Sequence, residues 1–235
     1  MEFALVVPFV VLLFVVLITI PSAANDTRKE ARRRQTMADL WAEAHGATYQ
    51  RTNPAILTRL DRPPVDIRGR PLVTEFIQGT TPGGHNFWSF QHSVIVGEKS
   101  DAIKTAFAMV RLDAKLPRLY VTVQAPGINA AGVLRGQDIE LESEDFNQKF
   151  RVTSDNGALA YGVLHPLVMQ WLMGPGEGLV PFMIDQDDLI CWRPGAPDYS
   201  TLDKLLNDMD TFISHIPQGV YEQFGLPPAD ASLGY

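Results

Sequence analysis

The residues whose chemistry could be put to work are five histidines, one cysteine and a short acidic run. His45, His85, His92, His165 and His215 form no His-Glu-x-x-His, no His-x-His and no pair at the spacing that sets two imidazoles on one helix face around a metal. No metal site is expected from them. His85 and His92 lie on or beside one strand of a predicted hairpin, and Glu75 lies on the facing strand. A carboxylate within reach of an imidazole can serve acid–base chemistry, so Glu75, His85 and His92 are the candidates for a hydrolase-type site. The plainer reading is of histidines at a strand end beside a turn.

Other strings offer less. No Gly-x-Ser-x-Gly elbow supports a serine nucleophile. Gly174-Pro-Gly-Glu-Gly178 has the glycines of a phosphate loop but follows a predicted helix and leads into a strand. Helix N-terminal amides would then not face a phosphate, so it reads as a turn. Asp185-Gln-Asp-Asp188 lacks the glycine and the twelfth-position glutamate of a calcium loop, and is expected to be a solvated turn between two strands. Cys191 sits between Ile190 and Trp192 and reads as a small buried hydrophobe rather than a reactive thiolate. No cofactor is implied.

The elements that would position these residues follow from periodicity and punctuation. A helix is expected over 26–45, with Met37, Leu40, Trp41 and Ala44 at helical spacing and Gly46 as terminator. Leu72–Ile77 and Phe87–Val96 flank a turn-rich passage and form a hairpin. Ala106–Leu112 and Leu119–Gln124 are two strands around Lys115-Leu-Pro-Arg118, and Ile139–Leu141 and Phe150–Thr153 are shorter ones. Asn156–Leu164 and Pro166–Met173 are helical pieces. Val180–Ile184 and Leu189–Trp192 make a second hairpin. Ser200 with Asp203 resembles a capping box. It opens a helix whose stripe of Leu202, Leu205, Leu206, Met209, Phe212, Ile213 and Ile216 is core-facing. Strands do not alternate with helices, so the fold class is α+β: a mainly antiparallel sheet domain with packed helices behind one N-terminal transmembrane helix.

Composition locates the chain more clearly than it assigns a reaction. Of 235 residues 46% are hydrophobic, but residues 1–25 hold 19 of these, leaving about 42% for the rest, an ordinary globular value. Phe3–Asn25 carries no charge, and eighteen helical residues from Phe3 to Ile20 reach about 27 Å, close to a hydrocarbon core. Small residues at Ser22-Ala23-Ala24 also permit a cleaved signal peptide. Against that, Met1-Glu2 lacks the expected cation and the apolar run is long. Arg28, Lys29, Arg32, Arg33 and Arg34 follow the span, and cations beside a span stay on the cytoplasmic side. The same run could hold anionic headgroups. The net charge of −7 disfavours a nucleic-acid partner.

A further pointer is Glu140-Leu-Glu-Ser-Glu-Asp-Phe-Asn-Gln-Lys-Phe-Arg-Val152, followed by Leu164-His-Pro166 and Met169-x-x-Leu172. This block resembles the uncharacterised bacterial membrane-protein family known as domain of unknown function 3137 and its short actinobacterial relatives, most sharply over about residues 138–193. The resemblance implies N-terminal membrane helices and no established activity, so Glu142, Ser143, Phe146, Asn147, Phe150, Val152, Pro166 and Met169 are motif positions with a structural reading. Phe146, Phe150 and Val152 can plug a core while Ser143 and Asn147 bond nearby backbone.

These readings divide the chain into a transmembrane anchor at 1–25, a basic juxtamembrane stalk helix at 26–46, one α+β domain at 47–225 and a loose tail at 226–235. The expected role is a non-enzymatic domain tethered to the bilayer, facing the cytoplasm and binding another membrane protein. Trp88, Trp171 and Trp192 would mark the binding surface if exposed together. The rivals are an enzyme around Glu75, His85 and His92, an anionic-lipid binder using Arg32–Arg34, and export of the cleaved chain.

Overall fold

A single strand of 21 residues, Ile103–Val123 (β4), organises the sheet. The computed structural model describes residues 29–60, 70–95, 102–124 and 136–226. The expected anchor at 1–25, Arg28 and the tail beyond Leu226 lie outside the described residues. Among the described residues no helix is long and apolar enough to cross a membrane.

β4 replaces the two strands expected at Ala106–Leu112 and Leu119–Gln124. Lys115-Leu-Pro-Arg118 has the composition of a turn, yet the chain runs through it. A straight strand of this length would reach about 70 Å, and β4 accommodates its length with two register shifts against its partner between Arg111 and Leu119. Pro117, which cannot donate to a ladder, falls within that irregular stretch. The partner is Phe182–Pro194 (β7), 13 residues antiparallel to β4 over Thr105–Val121. β7 likewise replaces the expected second hairpin.

The remaining strands flank this pair. Arg70–Thr80 (β2) and Asn86–Ile95 (β3) form the expected hairpin, with β3 on the first half of β4. Thr48–Gln50 (β1) extends the hairpin edge. Phe150–Ser154 (β6) pairs with the last part of β4, and Gln137–Ile139 (β5) with β6. Among the described residues the sheet has seven strands, all paired antiparallel.

Helices cover one face. The first, α1, spans 29–44 and ends at Gly46, whose φ of +62° a side-chain-free residue adopts without cost. Glu144–Lys149 (α2), Gly157–Val163 (α3) and Pro166–Leu172 (α4) follow the short strands, and the 174–178 glycine string forms a 3-10 turn at Pro175–Leu179. Tyr199–His215 (α5) buries Leu202, Leu206, Met209, Phe212 and Ile213. Its cap is Asp198, which accepts from the Ser200 amide, rather than Ser200 itself. Gln218–Phe224 (α6), unexpected from the sequence, buries Val220.

Two cores result. The larger lies between sheet and helices and includes Phe87, Val110, Leu119, Phe146, Leu159, Phe182 and Phe212. The smaller, on the opposite face, holds Phe76, Phe90, Phe107, Met109, Tyr120, Met183 and Ile190. There the described cover is the 3-10 turn Pro54–Arg59, contributing Ile56 with Leu60 behind it.

The docked face of α1 also differs from expectation. Ala38, Trp41 and Ala42 are buried, whereas Met37, Leu40 and Ala44 face solvent. Two alanines four residues apart let the helix backbone approach the sheet closely, and Trp41 fills the space beside them against the edge of Phe87. Met37 or Leu40 in that position would hold the helix off.

Candidate functional site

On the helical face one cluster of part-buried polar groups centres on Glu75. β2 shifts register between Thr74 and Ile77, and Glu75 takes φ +53°, the left-handed region that costs a residue with a Cβ. The bulge turns its carboxylate toward the helices. Arg34 of α1 donates to it in a fork, Nε to Oε1 and Nη2 to Oε2, both 2.9 Å, and also reaches the Pro197 carbonyl at 3.0 Å. The Tyr199 hydroxyl of α5 donates to Oε2 at 2.8 Å. The hydrogen bond that Arg34 donates to Glu75 raises the Arg34 pKa above its ordinary value. Burial, then the charge of Glu75, pushes the Tyr199 phenol well above its own. Both groups therefore keep their protons, and the cluster is a fixed acceptor with two donors.

Glu75 is thus engaged away from both histidines. His85, in the β2–β3 turn, places Nδ1 3.0 Å from Oδ1 of Asp210 on α5. Asp210 also accepts from the Thr81 hydroxyl and the Gly83 amide, each at 2.7 Å. Asp210 lies eleven residues beyond Tyr199, about 16 Å along the helix at 1.5 Å per residue. His92 is buried on the opposite sheet face, edge-on to Phe107 at 6.1 Å. The structure brings Glu75, His85 and His92 to three separate places. The hydrolase-type arrangement is not assembled: Glu75 and His85 reach the helices, whereas His92 packs on the other face.

The expected juxtamembrane cations divide in the same way. Lys29, Arg32 and Arg33 are exposed, while Arg34 is committed to Glu75 and is not available to a headgroup.

Asp185–Asp188, expected as a solvated turn, lies inside β7 with all three carboxylates buried. A bulge at Gln186, φ +58°, turns that residue outward and brings the acids onto the second face. Arg59 donates to both Asp188 oxygens at 2.8 Å and to Asp187 at 3.3 Å. Arg111 donates to Asp187 at 2.8 Å, and Arg118 lies 3.4 Å from Asp185. The Arg59 guanidinium also stacks over Trp88 at 5.0 Å. Buried charge is tolerable only when paired and hydrogen-bonded, and the network fastens Pro54–Arg59 across the sheet. Burial lifts the Asp188 carboxyl to about 6 despite Arg59. Cys191 is buried, and burial raises its thiol to about 12.

The motif positions serve local architecture. Ser143 caps α2 by accepting from the Phe146 amide, and the Asn147 side chain both accepts from and donates to Leu141 backbone. Phe146, Phe150 and Val152 are buried together, and Pro166 opens α4. Glu142 is exposed. Ser143, Pro166 and Met169 also border a groove of about 330 Å³ between α2 and α4. A second cleft, about 250 Å³, lies where α1, the β2–β3 turn and α5 meet, below the usual size of a small-molecule site. There His45 stacks on Trp41 and sits 3.0 Å from Asp203. Trp88 and Trp192 are half-buried on the second sheet face, while Trp171 stacks on His215 among the helices. The three tryptophans form no common surface. Among the described residues no group of three or more His, Cys, Asp or Glu is placed to hold a metal ion.

Two outcomes follow from this geometry. Glu75→Gln removes the charge from the Arg34 fork, and amide exchange across 29–44 accelerates by about tenfold or more while the β4–β7 ladder stays protected, consistent with loss of about 1.5–3 kcal/mol from a charge-assisted contact. Unchanged exchange in α1 would contradict the assignment. For Asp188, the folded chain holds a proton that the unfolded chain releases at the ordinary value of 3.8. Its contribution therefore favours the fold at low pH and is lost as pH rises from about 4 to 6. Denaturant titrations of the wild type and Asp188→Asn should show the wild type losing stability relative to the variant across that window.

No protein-family model matches the chain, and no curated protein matches it. Among solved structures it is similar to the crystal structure of the mycobacterial trehalose monomycolate transport factor A, TtfA, with a TM-score of 0.55 and 14% identity, over 80% of this chain and 96% of that one. The likeness is one of fold: an α+β domain with a mainly antiparallel sheet and packed helices.

Proposed function

We propose that this chain is a non-enzymatic accessory factor of a membrane transport system. In this reading residues 1–25 anchor it, and its domain binds another membrane protein. The observation that carries the proposal is the fastening of α1. The helix that would leave the bilayer does not hang from the domain as a loose tether. Arg34, Ala38, Trp41 and Ala42 lock it to the sheet and to α5. An anchor upstream of such a helix would present the domain to the membrane in one orientation, as recognition of a partner embedded in the same bilayer requires.

Three further points support the reading. The fold is similar to that of a transport factor along nearly all of the latter's length. The polar groups with catalytic potential are used to join elements. The 138–193 motif, which resembles domain of unknown function 3137, supports placing the chain with bacterial membrane proteins. Cytoplasmic placement of the domain rests on Lys29, Arg32 and Arg33, which remain exposed next to the proposed span.

Crosslinking of the full chain in native membranes, read by mass spectrometry, tests the proposal. A reproducible membrane-protein neighbour is expected, its recovery falling when Glu75→Gln loosens α1. Recovery of only abundant bystanders, or of the chain in the soluble fraction, would refute it.

A further inference from the structure

α1 is fastened along one flank and bare along another. Met37 and Leu40 are 50% and 56% exposed, and Arg33 and Ala44 also face solvent. Positions 33, 37, 40 and 44 are spaced four, three and four, the interval of a coiled-coil seam. At 100° per residue this stripe lies about 115° around the helix from the flank that carries Arg34, Ala38, Trp41 and Ala42. The helix cannot roll to bury it, because Arg34 is forked onto Glu75 and Trp41 is packed against Phe87. Among the described residues no other side chain covers Met37 and Leu40, and the docked helix leaves them open to another chain.

We propose that the stripe pairs with the same stripe of a second copy, the two α1 helices running parallel and in register. The inference rests on the membrane anchor proposed above. The uncharged run Phe3–Asn25 lies immediately upstream of α1. Two chains entering one bilayer by such a run have their α1 helices pointing the same way and starting at the same height. Parallel, in-register pairing sets Met37 against Met37 and Leu40 against Leu40, a self-complementary contact about a two-fold axis. The angular offset matters here: because the docked flank is more than a right angle from the seam, the two domains fall on opposite sides of the helix pair without collision. The same register sets Arg33 beside Arg33, and Glu30, three residues earlier on each helix, supplies the opposite charge that offsets their repulsion. Two large side chains per copy make a short seam, and confinement to one membrane supplies the effective concentration that a short seam needs.

Cysteine crosslinking in membranes carrying the full chain tests this. Cys191 is buried and its thiol is held protonated, so it does not compete. Met37→Cys and Leu40→Cys, exposed positions that leave the core intact, should each form a disulfide-linked species at twice the 26.1 kDa chain mass on mild oxidation. Asp39→Cys, off the stripe, should yield several-fold less. Leu40→Lys added to Met37→Cys should abolish the product. Membrane-bound chain that crosslinks no better at 37 and 40 than at 39, or that crosslinks there to a protein of another mass, overturns the pairing alone. Chain recovered in the soluble fraction overturns the anchor and the pairing with it.

Discussion

A carboxylate pushed out of register by a β-bulge sets how the two long helices sit on the sheet. Glu75 could not reach α1 and α5 from a regular strand position; the extra residue in β2 and its left-handed backbone turn it toward them. Such a conformation costs of order 1–2 kcal/mol for a residue with a side chain. Its return is a fork to Arg34 and a bond from Tyr199, which tie the start of α1 to the start of α5 through one acceptor. Trp41, His45 and Asp203 join the same helices further along. α1 therefore belongs to the domain mechanically, and any function that depends on how the domain is held depends on this contact.

The opposite face of the sheet solves a different problem with the same ingredients. Described helices cover only the first face, so the aromatic second core needs another cover, and Pro54–Arg59 supplies part of it. A short 3-10 turn has little apolar surface of its own. Arg59 compensates by reaching Asp187 and Asp188 and by stacking on Trp88. Removing one partner would strand a buried charge, so the network holds the turn more firmly than its contact area would.

Much of the architecture is legible in the sequence because it is local. The β2–β3 hairpin, the stripe of α5, the terminator at Gly46 and the antiparallel character of the sheet follow from periodicity and turn residues. What was not legible is set by partners far along the chain. Lys115-Leu-Pro-Arg118 has turn composition, and the chain continues through it because distant partners hold it: Leu116 pairs with Gln186 of β7 and Lys115 bridges to Leu226. Asp185, Asp187 and Asp188 read as solvated because nothing nearby neutralises them. Arg59, Arg111 and Arg118 arrive from 67 residues away or more, and alternation cannot announce them. In α1 the apolar residues spread over more than one face, so spacing alone does not choose between Met37-Leu40 and Ala38-Ala42; close approach to the sheet does. Glu75, His85 and His92 are neighbours on one hairpin in the sequence, but the partners of Glu75 lie on α1 and α5, which local spacing does not reveal.

Held by these contacts, α1 and the domain move as one body. Spin labels at Thr36 on α1 and Gln148 on α2, both exposed, give the most direct test by pulsed dipolar spectroscopy on the full chain diluted with unlabelled copies. A single narrow distance distribution is the expected result, broadened when Arg34 is replaced by alanine. A broad or multi-peaked distribution in the otherwise unaltered chain would show that α1 is a loose tether instead.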